Sequence, residues 1–154
     1  MTEHELDATR PYTYSDYDGE SLVLRQQKRK WDDGSFVTAE YLGQGPVFFS
    51  SSDDVLRFAL AMVLRGADKQ LPYVSTVVHG LRAAVEAIED ERRYKRGQRV
   101  EVYDRHKEFG TGQRWCKGEV MGYYDNGEYA ILPDGCGVYI SYPVGDIREL
   151  QEEN

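Results

Sequence analysis

The chain has 154 residues, 40% hydrophobic and 30% charged, with 27 acids against 19 bases and a net charge of −8. That is enough apolar material for one ordinary domain or two small ones, and no apolar run approaches the ~18 residues of a membrane-spanning helix. The acidic balance repels phosphate at long range, which counts against nucleic acid as the principal partner.

The opening MTEHELDATRPY has no basic stretch followed by an apolar one, so no secretory signal is expected and the protein reads as soluble and cytoplasmic. Residues 1–20 form an acidic, tyrosine-rich arm with no clear period, carrying Tyr12, Tyr14 and Tyr17. From Glu20 the composition changes. SLVLRQQKRKW and SFVTAEYLG are β-rich runs separated by Asp32, Asp33 and Gly34, which predicts a hairpin because Asp-Gly tolerates the positive φ of a tight turn. Gly43, Gly45 and Pro46 mark another turn, and PVFFSS reads as a third strand.

Ser50, Ser51 and Ser52 with Asp53 and Asp54 supply oxygens for the free backbone donors of a helix start. The helix that follows, VLRFALAMVLRG, is apolar nearly all round and is expected to be central and buried, stopping at Gly66. A second helix begins near Pro72 or Tyr73, its Val74, Val77, Val78, Leu81, Ala84, Val85 and Ile88 keeping the 3.6-residue period. Glu89 with Arg93 and Glu91 with Lys95 stand four apart in the favourable order and extend it to about Tyr94. The two helices are expected to pair as a hairpin against the sheet.

From Gly97 the pattern is all-β: QRVEVYD, RWCKGEVMGYY, EYAILP, VYISYPV and GDIREL, separated by Gly-, Asp- and Asn-rich turns. Gly97 with Val100 and Val102, Trp115 with Gly118 and Val120, Tyr129 to Leu132, Tyr139 to Tyr142, and the closing Asp146, Ile147 and Arg148 follow in an order that resembles the SH3-like barrels of the Tudor and agenet kind. The resemblance implies a closed five-stranded barrel. In that family the usual activity is capture of a methylated lysine or arginine between ring faces. Here the first-strand aromatic falls near Tyr103, the second near Trp115 and the third at or near Leu132, so one wall of the cage is missing. Tyr123, Tyr124, Tyr139 and Tyr142 are the neighbouring rings that can serve as a partner-binding surface.

Little points to catalysis. His4, His79 and His106 share no metal-ligand spacing with one another or with Cys116 and Cys136, which are expected as reduced thiols. FGTGQ at 109–113 precedes no helical pattern and reads as a loop, not a phosphate cradle. No cofactor and no metal are expected. The fold expected is α+β: the arm 1–20, a sheet with a helical hairpin over 21–96, and the Tudor-like barrel over 97–154. The function expected is non-enzymatic protein binding through the acidic barrel, as in a small bacterial or phage regulator or inhibitor. The alternative is nucleic-acid binding through two basic clusters, at 25–30 with Arg25, Lys28, Arg29 and Lys30, and at 92–99 with Arg92, Arg93, Lys95, Arg96 and Arg99, with Trp31 or Tyr94 to stack.

Overall fold

In the computed structural model the chain is α+β, with two antiparallel sheets and two long helices. The structure describes residues 3–29, 34–41, 44–104 and 115–151. Lys30, Trp31, Asp32, Asp33, Gly43, His106 and the 109–113 loop, all singled out above, lie outside the described residues. The chain divides into two units, Met1–Val55 and Leu56–Asn154. The boundary expected at Gly97 falls inside the second.

The first unit opens with a single helical turn, α1 (Glu3–Leu6), followed by β1 (Tyr12–Ser15), β2 (Ser21–Lys28), β3 (Ser35–Tyr41) and β4 (Val47–Phe49), paired in that order. The expected hairpin joins β2 to β3, with Leu22 opposite Tyr41 and Lys28 opposite Ser35. The expected irregular arm contributes β1. Its turn is specified by Asp16, whose carboxylate accepts the backbone N–H of Asp18 and of Glu20, both at 2.9 Å, and by Gly19 at φ +83.

Helix α2 (Ser52–Gly66) starts where the serine and aspartate cluster was placed. Ser51 Oγ accepts the Asp54 N–H at 3.2 Å, and the Val55 N–H donates to the Ser51 carbonyl. The helix is not the buried centre its composition suggested. Asp53 is its single buried residue among those described, and Phe58 and Met62 are at least half exposed. Helix α3 (Pro72–Glu91) has no buried residue, and an ion pair of 2.8 Å from Arg57 to Glu89 ties it to α2.

The second sheet contains β5 (Arg99–Tyr103), β6 (Trp115–Tyr123), β7 (Tyr129–Pro133), β8 (Ile140–Tyr142) and β9 (Ile147–Glu149), with a 3-10 turn at Val144–Asp146 before the last strand. Its order is β8-β7-β6-β5-β9. The expected closed barrel is here an open sheet, with β8 and β9, three residues each, at its edges. Alternation along β5 sends Val100 and Val102 inward, and they meet Val120, Tyr123, Tyr129, Ile131, Tyr142, Ile147 and Tyr94 in the core. Ile88 of α3 packs against the same cluster. Gly118 is required by close approach: a Cβ there would stand 2.9 Å from Ile131 Cγ2 and 3.0 Å from the Leu132 carbonyl.

Candidate functional site

Tyrosine and arginine chemistry is concentrated where the end of α3 meets the second sheet. Helix α3 stops at Glu91, and the chain turns inward so that Tyr94 enters the core. Its Oη donates to the Ile147 carbonyl at 3.0 Å, and its ring meets that of Tyr129 edge-on, 5.5 Å between centroids. Tyr129 Oη accepts the Arg93 N–H at 3.0 Å. These tertiary partners replace the last helical turn that was expected. Glu89 accordingly pairs with Arg57 and not with Arg93, while the Lys95 ammonium donates to the Glu89 carbonyl.

The same segment places guanidinium groups over ring faces. Arg92 Cζ lies 5.2 Å from the Tyr123 centroid and 5.5 Å from that of Tyr129, and its Nη2 donates to the Tyr124 carbonyl at 2.7 Å. Arg93 lies over Tyr94 at 5.3 Å. Between Val120 and Gly122 the β6–β7 register shifts, leaving Met121 as the extra residue of a bulge, and the Arg96 guanidinium donates to its carbonyl. The Arg96 N–H donates to Tyr123 Oη at 2.6 Å. The basic cluster and the barrel tyrosines, two separate binding surfaces on sequence grounds, thus join as one structural cluster.

The remaining candidates divide by burial. Tyr123 and Tyr142 belong to the core and present no ring to a partner. Tyr124 is half-buried, and Tyr139, before β8, is exposed. Tyr103 and Trp115 are half-buried and stand directly opposite each other at the ends of β5 and β6, ring centroids 5.3 Å apart and planes at 70°. Arg148 Cζ sits 3.9 Å from the Trp115 centroid, and Arg148 also pairs with Glu101, its cross-strand neighbour, at 2.6 Å. In the first basic cluster Lys28 is exposed, and Arg29 donates to the Ser35 and Ser50 carbonyls at 3.1 and 2.7 Å. An open cleft of about 520 Å³ beside the α3 terminus is lined by Arg92, Arg93, Asp125, Asn126 and Tyr129 among others.

Among the described residues two groups have displaced ionisation. The Arg99 guanidinium, hydrogen-bonded to Asp134 at 2.8 Å, holds that carboxyl below its ordinary value of 3.8, and Asp134 raises Arg99 in turn. Both are about half exposed, so the pair is screened by solvent. Cys116 and Cys136 are free thiols, and among the described residues no three His, Cys, Asp or Glu side chains are grouped to hold a metal ion. Among the described residues no helix is long and apolar enough to cross a membrane. Comparison of the chain with family models, curated proteins and solved structures found no match.

Proposed function

We propose that the second sheet is an SH3-like module of the Tudor and agenet kind, and that the protein works by binding a basic segment of a protein partner. The observation that carries the reading is the seat of Arg148: a guanidinium rests on Trp115 at 3.9 Å, beside Tyr103 and against the Glu101 carboxylate. Ring face and carboxylate together attract an arginine or lysine side chain, and this pair already holds one from its own chain. Support for the module comes from the strand order β8-β7-β6-β5-β9 with a short helical turn before the last strand. The net charge of −8 favours a basic partner. The nucleic-acid alternative is weakened because Arg29, Arg92 and Arg96 direct their guanidinium groups to backbone carbonyls.

The test is capture by the full-length protein from lysate, with and without nuclease, beside the Trp115→Ala and Tyr139→Ala variants. A stoichiometric protein that survives nuclease, and that Trp115→Ala loses while its circular dichroism and melting remain native-like, is the expected result. Disappearance of every partner on nuclease treatment would refute the reading and move attention to the exposed Arg25 and Lys28.

A further inference from the structure

Tyr129 is 3% exposed, yet it lines the open cleft of about 520 Å³ beside the end of α3, all of whose lining residues belong to the second unit. Its Oη accepts the backbone N–H of Arg93 at 3.0 Å and that of Tyr94 at 3.4 Å, so the oxygen is fully committed as an acceptor. The phenolic proton is left over: among the described residues no carbonyl, carboxylate or hydroxyl accepts it. A buried donor without an acceptor destabilises the fold, so an acceptor entering the cleft gains more here than at an exposed hydroxyl.

Two guanidinium groups belong to the same wall. Arg92 is half-buried and stacks on Tyr123 and Tyr129; its Nη2 donates to the Tyr124 carbonyl, and the rest of its fork meets no acceptor among the described residues. Arg93 is exposed and lies over Tyr94, and no acceptor among the described residues takes a hydrogen from its side chain. Ring faces thus hold both guanidinium groups in place while their N–H edges stay available, a donor set organised before any ligand arrives.

The lining also selects the anion. Glu91 and Asp125 balance Arg92 and Arg93, so the wall is formally neutral and a doubly charged phosphate meets both acids at full strength. A carboxylate brings one charge and two oxygens in the plane that a guanidinium fork matches. The cleft falls within the roughly 300–1,000 Å³ of small-molecule sites, more than a bare ion needs, and Val144, 48% exposed, offers an apolar contact to the rest of the molecule. We propose that this cleft binds a small organic molecule through a single carboxylate, held by the Tyr129 hydroxyl and the Arg92 and Arg93 guanidinium groups. The site is separate from the partner-binding seat at Trp115, which stands at the other end of β6 from the Tyr123 ring under Arg92.

Amide chemical shifts of isotope-labelled full-length protein, titrated with sodium butyrate at an ionic strength held constant with sodium chloride, test this. Butyramide, of the same shape but uncharged, and inorganic phosphate are the comparison probes. Butyrate should move the amides of Arg93, Tyr94, Asn126 and Gly127 saturably, with a dissociation constant of roughly 1–10 mM, and butyramide should bind at least about tenfold more weakly. Arg93→Gln, at an exposed side chain that makes no hydrogen bond among the described residues, should weaken butyrate by at least about tenfold at an unchanged melting temperature. Trp115→Ala should leave butyrate binding as in wild type, so that failure here and failure of the partner-binding reading are told apart. Localisation of the wild-type shifts keeps the test decisive should a variant fail to fold. Absence of a saturable shift at these four amides overturns the proposal, as does equal binding of butyrate and butyramide, tighter binding of phosphate, or butyrate binding indifferent to Arg93→Gln.

Discussion

Gly118 is where a single atom decides between folded and strained. Its position opposite Pro133 brings β6 so near β7 that a methyl group would meet Ile131 and the Leu132 carbonyl at 2.9 and 3.0 Å, with backbone on one side unable to withdraw. Gly118→Ala should therefore cost about 1–3 kcal/mol, read as a lower denaturant midpoint at unchanged slope. Asp134 offers a test by pH. Its folded value is depressed by Arg99, so the pair's stabilisation is complete above the ordinary carboxylate value of 3.8 and is lost as pH falls through the lower folded one. The stability gap between Asp134→Asn and wild type should accordingly narrow as the medium is acidified toward pH 3, with little difference left once the wild-type Asp134 carboxyl is protonated. The effect is small because the pair is half exposed, and high salt should reduce it further.

At the scale of elements, local signals and tertiary partners divide the control. The start of α2 is local: Ser51 is buried and caps the Asp54 N–H, so Ser51→Ala should lower stability by about 0.5–2 kcal/mol in thermal or denaturant unfolding. The end of α3 is tertiary. Glu89, Arg93 and Lys95 have good helical spacing, yet the chain leaves the helix at Glu91 because Tyr94 gains a buried ring contact and an acceptor in the Ile147 carbonyl. Tyr94→Phe keeps the ring and removes that bond; about 1–3 kcal/mol of destabilisation is expected, since a buried carbonyl loses its donor. The same division explains what was legible in the sequence. Strands and turns from Gly97 onward follow alternation and Gly-Asp chemistry that any short window contains, and β5 to β9 fall on those runs in the same order. β1 carried such a signal in the Tyr-Thr-Tyr-Ser alternation before DYDG, which the acidic composition masked. The guanidinium–tyrosine cluster was not legible as a unit, because Arg92 and Tyr123 are brought together only by the turn after α3. Nor does apolarity state how deeply a side chain is covered: α2 reads as buried, but its Phe58 and Met62 are at least half exposed.

Across the whole molecule, cohesion is concentrated in one place. Every buried hydrophobic residue among those described lies between Tyr94 and Ile147, whereas the buried side chains of the first unit are Thr38, Ser51 and Asp53. Apolar burial supplies most of the free energy that opposes chain entropy, so the two sheets cannot be equally resistant to opening. Amide hydrogen exchange on the full chain should find the slowest protons at core positions such as Val102, Val120 and Ile131. Amides of β1 and β4 should exchange at least about a hundredfold faster at low protein concentration, through partial opening well below the global unfolding free energy. Uniform protection of both sheets would show that the first sheet draws its stability from something other than apolar burial.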